Sequence, residues 1–167
     1  EVMTEKSPQL TMVYVPHLDY EFQRQPPGDT KTLTELDGLL KQLRTFCEAH
    51  DTEMIVVSEY GLEEVHTPVF LNQPLREEGW LKTRPSPFGE QFTPWQSDAF
   101  AVCDHQVSHV YIPQNSSLET VSQKLMSLEG VDSIHRPEEL NLDHPRSGQL
   151  IAIAKPGHWF DYRYWLP

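Results

Sequence analysis

An α/β fold built around a parallel sheet is what this sequence predicts, and three observations predict it. The first 60 residues run apolar segment, amphipathic helix, apolar segment, the order that joins two parallel strands through a right-handed crossover. Both apolar segments, residues 9–15 "QLTMVYV" and 53–58 "EMIVVS", lack polar alternation, as strands covered on both faces do. Each then leads to a carboxylate, Asp19 and Glu59, at the strand ends where open α/β sheets hold their ligands.

The elements follow in order. After "QPPGD", Leu33, Leu36, Leu39, Leu40, Leu43, Phe46 and Cys47 recur at helical spacing, with Asp29 or Thr30 as the cap. Residues 72–80 read as a short helix, and residues 83–96 are rich in proline and aromatic side chains. Two strand-like runs, "DAFAVCDH" and "SHVYIP", come next, and a second amphipathic helix over 118–128 is ended by Glu129-Gly130. The chain returns to a strand at 149–154, "QLIAIA", and finishes in "GHWFDYRYWLP", whose aromatics read as sheet and core packing. The predicted division is 1–65 as a core α/β segment with metal-ligand loops, 66–140 as a cap or insertion, and 141–167 as a return to the core sheet.

A length of 167 residues suits one domain with a small attached lobe. Thirteen basic residues against 25 acidic ones give a net charge of −12, which excludes a sequence-independent grip on nucleic acid polymers or an anionic membrane surface. Cys47 and Cys103 read as two buried thiols, which points to a reducing, cytoplasmic setting. No apolar stretch approaches the roughly 20 residues of a membrane span, and residues 1–10 carry no signal-peptide pattern.

Three groups of residues carry potential chemistry. Asp19 with Gln23, and Glu59 with Tyr60, place hard oxygen ligands just past two adjacent strands, as a metal site requires. On spacing alone Asp19 also reads as a turn cap and Glu59 as a solvated loop residue. In "CDHQVSHVY", His105 and His109 stand four apart, a spacing that shares one face of a strand. In "LDHPRSGQL", Arg146 is suited to steadying the loop or a phosphate, and His144-Pro145 reads as a turn.

Taken together, "YVPHLDY" with Gln23-Arg24, Ser58-Glu59-Tyr60-Gly61, "SDAFAVCDHQVSHVYI" and "LDHPRSGQLIAIAKPGHWFDYRYWL" resemble the type I phosphodiesterase and nucleotide pyrophosphatase branch of the alkaline phosphatase superfamily. The resemblance implies an alkaline-phosphatase-like parallel-sheet core, here partial, with an α+β cap insertion. It implies hydrolysis of phosphoric diesters or nucleotide pyrophosphates, small-molecule phosphoesters, through a covalent phospho-enzyme at two divalent metal sites, zinc being the ion implied. Asp19 falls on the Asp that this family follows, four residues later, with His, and Gln23 stands in place of that His. Glu59 falls on the second Asp, and Tyr60 stands in place of the second His. The same substituted pattern resembles a bacterial subgroup, and it favours a harder ion, a single ion or an impaired site. His105, His109 and Arg146 are expected near the substrate. No catalytic nucleophile is assigned, because Thr4, Ser7 and Thr11 lie too close to the first run. The chain is therefore expected to be a later portion of such an enzyme, inactive alone and prone to self-association through an exposed flank. The alternative is a non-catalytic ligand-binding or interaction module on the same fold.

Overall fold

The computed structural model describes residues 2–113 and 117–166, in two units, Glu1–Glu64 and Val65–Pro167. The first unit holds three helices, α1 (Val2–Lys6), α2 (His17–Phe22) and α3 (Thr30–Ala49). The start of α3 is fixed by Asp29, whose carboxylate accepts from both the amide and the hydroxyl of Thr32 at 2.9 Å, so one orphan N–H of the first turn is satisfied. At the other end Phe46 stacks on His50 with ring centroids 4.0 Å apart.

The two apolar runs do not form the expected parallel strands. Residues 9–15 and 53–58 carry no strand, and their side chains face solvent, Met12 at 89% and Ile55 at 83% exposure. The reason is one of partners: a strand needs a ladder for its N–H and C=O groups and cover for its faces, and this unit supplies one long helix and no ladder among its described residues. The stripe of α3 is itself half-covered, with Leu36, Leu39, Leu40, Leu43, Phe46 and Cys47 partly buried. Apolar runs report fitness for burial rather than burial itself.

The second unit contains every buried hydrophobic residue described. Strand β1 (Thr67–Phe70) leads into α4 (Asn72–Glu77), then a hairpin of β2 (Thr83–Ser86) and β3 (Gly89–Phe92). Strands β4 (Phe100–Asp104) and β5 (Val107–Tyr111), helix α5 (Leu118–Met126), strand β6 (Val131–His135), strand β7 (Leu150–Ala154) and strand β8 (His158–Asp161) complete it. An antiparallel sheet runs β4-β5-β7-β6, and β1 pairs with β8 as the one parallel pair among the described residues. The 149–154 run, expected to rejoin a separate core sheet, is thus an inner strand between β5 and β6 of this sheet.

One face of the sheet carries Ala101, Val110, Leu150 and Ala152, which join Leu71, Leu75, Val121, Leu125 and Phe160 in the main core. Val121 and Leu125 of α5 stand four apart, the spacing that puts both on one helix face, and burial of each large aliphatic side chain contributes about 1.5–3 kcal/mol. The other face carries the row Val102, His109, Ile151 and His135, read across the register. Ile151 is fully buried there although it lies outside the main core cluster. Asn72 is buried and acts as an extra strand residue: its side-chain amide donates to the carbonyl of Ala101 at 2.9 Å and accepts from its N–H at 2.8 Å.

Cys47 and Cys103 are free and half-buried rather than buried, and burial pushes the Cys103 thiol up from its ordinary value. Among the described residues no helix is long and apolar enough to cross a membrane.

Candidate functional site

The residues that the sequence singles out around Asp19 do meet in the first unit. Asp19 lies in α2, a short helix that follows Pro16, rather than in a loop past a strand. The helix places Gln23 one turn on, and its side-chain amide donates to Asp19 Oδ1 at 3.0 Å, the i, i+4 geometry of helical neighbours. Tyr60, 41 positions from Asp19 in sequence, comes beside the same carboxylate, and that interaction holds the Tyr60 phenol above its ordinary value, an effect that lost hydration and the charges of Asp19, Tyr14 and Glu59 reinforce. Tyr14 is raised as well, first by loss of hydration and then by the charges of Asp19, Tyr20 and Glu59. Both phenols therefore stay protonated at neutral pH. Asp19, Gln23, Glu59 and Tyr60 form one polar cluster, and Tyr14 is a fifth member that the strand pattern concealed.

The donor set can be tested against the ions that the resemblance implies. Two carboxylates, an amide oxygen and a phenol make an all-oxygen set, which suits a hard ion such as Mg²⁺, Mn²⁺ or Ca²⁺. It does not fit a zinc pair, since no imidazole joins the cluster in the positions that Gln23 and Tyr60 occupy; and for a metal of any kind, no group of three or more His, Cys, Asp or Glu able to hold it occurs among the described residues. Zinc, implied by the resemblance, is thus not supported by the side chains present.

His105, His109 and Arg146 belong to the second unit. His105 is not in a strand. It opens the two-residue turn between Asp104 and Val107 with φ 55°, the sign that the mirror-image turns of tight hairpins require, and its ring lies 2.8 Å from the Asp104 carboxylate in solvent. The rule that residues four apart share a strand face therefore does not reach it.

His109 is inside β5, where its Nδ1 accepts the amide of Gly148 at 3.1 Å. Tyr111, two residues on, donates to the carbonyl of Arg146 at 2.8 Å. The Arg146 loop is so tied to one face of β5, and Gly148 is required there: a methyl carbon at that position would lie 2.6 Å from the carbonyl oxygen of Val110. His144 and Ser147 close a turn, the Ser147 amide donating to the His144 carbonyl at 2.8 Å, in agreement with the reading of His144-Pro145. Arg146 thus offers its guanidinium while its backbone is fastened. Tyr111 and Gly148 were not singled out by sequence; the small residue inside "PRSGQL" was the available signal.

Comparison with known proteins bears on this arrangement. Among solved structures, the crystal structure of phosphonoacetate hydrolase from Sinorhizobium meliloti 1021 in complex with phosphonoacetate is similar at 13% identity and a TM-score of 0.38, over 58% of this chain and 24% of that one. The similarity thus spans about a quarter of that protein's length. No protein of curated function matches. A family profile described as type I phosphodiesterase / nucleotide pyrophosphatase matches residues 1–167, and the chain belongs to that family.

Proposed function

We propose that this chain supplies part of the metal-dependent site of a hydrolase acting on phosphoric diesters or nucleotide pyrophosphates. The observation that carries the reading is the convergence of Asp19, Gln23, Glu59 and Tyr60 from two stretches about 40 residues apart in sequence. Family membership over residues 1–167 supports the phosphoester class of the reaction. Asp19 and Glu59 would hold a divalent ion, with Gln23 and Tyr60 as outer or weak ligands. Such an ion, when bound, polarises phosphoryl oxygens and offsets their charge.

The chain's own residues do the rest. Gln23 orients the Asp19 carboxylate by donating to it, and the Tyr60 phenol lies beside it. Tyr14 keeps a protonated phenol beside the two carboxylates. In the second unit, the β5 side chains fasten the loop that presents Arg146, which is suited to a phosphate oxygen. The attacking hydroxyl is assigned to no residue of this chain, and by itself the chain is expected to show no turnover.

A second reading has an observation of its own. The Asp19 carboxylate already receives a hydrogen bond from Gln23 and has the Tyr60 phenol beside it, so it has partners without a cation, as a non-catalytic binding module would need. Calorimetric titration with Mn²⁺, Mg²⁺ and Zn²⁺ separates the two, run on the chain and on Asp19→Asn/Glu59→Gln. Stoichiometric binding of a hard ion that disappears in the double variant supports the hydrolase site. Absence of binding for every ion overturns it and leaves the module. Hydrolysis of an aryl phosphodiester is measured in parallel, with none expected.

A further inference from the structure

We infer that the loop over residues 142–149 is a pH-released clamp, closed while two histidines are neutral and opened when they are protonated. The inference stands on hydrogen-bond chemistry alone and does not depend on the hydrolase reading. Two backbone amides of this loop donate to imidazole nitrogens: Gly148 N–H to His109 Nδ1 at 3.1 Å, and Arg146 N–H to His144 Nδ1 at 3.2 Å. A ring nitrogen accepts only when it carries no proton, so both rings hold their single proton on Nε2 in the closed loop. Protonation of either ring places an N–H against the N–H of its amide, and that bond is lost.

What opens is defined by the remaining contacts. Tyr111 Oη donates to the Arg146 carbonyl and the side chain of Gln149 accepts from Ile112 N at 2.6 Å, bonds that the histidine range leaves intact. They act as the hinge. The loop, with Arg136 and Glu138 at and within the 3₁₀ turn Pro137–Leu140 that precedes it, lines a cleft of about 300 Å³. His109 shares its sheet face with Ile151, which is fully buried there and outside the main core. Loss of the Gly148 bond frees the segment that leads into β7 beside this residue.

The charged and titratable groups around the two rings come from every neighbouring element. From β5 there is Tyr111, with its ring 6.3 Å from that of His109. From β4 there is Asp104, on the same face and near the turn; β7 contributes Ile151 and no charge beside His109, and Gln149 precedes it. From β6 there is His135 in the same cross-sheet row, with Ser133 on Nε2 and Glu139 on Nδ1. The loop and the 3₁₀ turn bring Asp143, Arg146, Arg136 and Glu138. Four carboxylates, Asp104, Glu138, Glu139 and Asp143, thus surround the two rings against two guanidinium groups, Arg136 and Arg146, while the bonds that the switch breaks are those of the two amide donors.

Amide hydrogen exchange by NMR on the whole chain tests this. Rates at Gly148 and Arg146, corrected for the intrinsic pH dependence of exchange, are compared at pH 7.5 and 5.5 with that of Ala154, whose amide donates to the Gln106 carbonyl at 2.9 Å. The range brackets histidine titration. Loss of a single such bond predicts about 3- to 10-fold faster exchange at both loop amides at pH 5.5, with Ala154 unchanged. His109→Phe, which keeps a ring but lacks an acceptor, is expected to exchange fast at Gly148 at both pH values. His144→Asn is expected to abolish the pH dependence at Arg146 and leave that at Gly148. The inference is overturned if the corrected wild-type rates do not change, if Ala154 rises equally, or if Gly148 keeps its pH dependence in His109→Phe.

Discussion

Gly148→Ala is the substitution whose outcome the structure dictates most directly. The added methyl carbon would lie 2.6 Å from the carbonyl oxygen of Val110, 2.7 Å from its nitrogen and 2.8 Å from its carbonyl carbon, whereas ordinary contact begins at about 3.4 Å. Val110 is fully buried, and its strand is held between β4 and β7, so β5 does not retreat and the loop must move instead. Overpacking of this kind costs about 1–3 kcal/mol. The movement also stretches the Gly148 to His109 bond, about 1 kcal/mol more. The expected destabilisation is thus about 2–4 kcal/mol, and for a unit of roughly 100 residues it lowers Tm by at least about 8 °C. All four tryptophans, Trp80, Trp95, Trp159 and Trp165, lie in the second unit, so tryptophan fluorescence in urea reads that unit selectively. A midpoint within about 0.5 kcal/mol of wild type would refute the close approach of loop and strand, and with it the argument that a glycine is required in this loop.

Two further outcomes follow from hydrogen bonds in the two units. Asn72→Ala leaves the buried N–H and C=O of Ala101 without their side-chain partner, which costs about 2–4 kcal/mol in the same fluorescence assay; a near-neutral result would mean that the pairing is not formed. Asp29 is held below the usual carboxylate range chiefly by the amide and hydroxyl of Thr32. Its folded value is depressed, so its contribution is present above the unfolded value of about 3.9 and is lost as pH falls through the folded value. The difference in α3 helicity between wild type and Asp29→Ala, followed by far-UV circular dichroism, is therefore expected to be constant above about pH 5 and to shrink below pH 4. A difference that ignores pH would show that the carboxylate does not cap the helix.

The parts legible from sequence were those whose signal is local. Helix α3 announced itself through seven apolar positions and Asp29, and α5 through its spacing and Gly130. Strands β4, β5 and β7 were visible because their inward residues are aliphatic and their neighbours are turn formers. Strand β6, "VDSIH", escaped because Asp132, Ser133 and His135 give it a polar character, and β1, "TPVF", because Pro68 argues against a strand although it is tolerated in a two-stranded pair. The turn at His105 was hidden for a different reason: a positive φ is expected of Gly or Asn, and neither stands between Asp104 and Val107. The largest misreading, two buried parallel strands at 9–15 and 53–58, came from treating composition as evidence of partners. Pairing is a long-range property, and nothing within either run encodes it. Gln23 was nonetheless brought to Asp19 as the spacing implies, since that contact needs only a helical turn.

That contact changes what the departures from the family pattern mean. A histidine four residues after Asp19 would present a nitrogen lone pair to a cation beside the carboxylate. Gln23 instead turns its N–H toward Asp19 Oδ1, and Tyr60, in the place of the second histidine, sets its phenol beside that carboxylate. A position that the resemblance assigns to an electron-pair donor toward a metal thus acts here, at Gln23, as a proton donor toward Asp19, and the other carries a protonated phenol. An incoming cation competes with these partners for the same oxygens; an amide can answer by rotating to offer its oxygen, and a protonated phenol by turning its O–H aside to offer a weaker lone pair. On the proposed reading the substitutions therefore do more than weaken two ligands, because they place neutral donors where an ion would sit. A hard ion would then have to displace Gln23 and Tyr60 from Asp19, whereas no comparable donor to Glu59 is seen among the described residues.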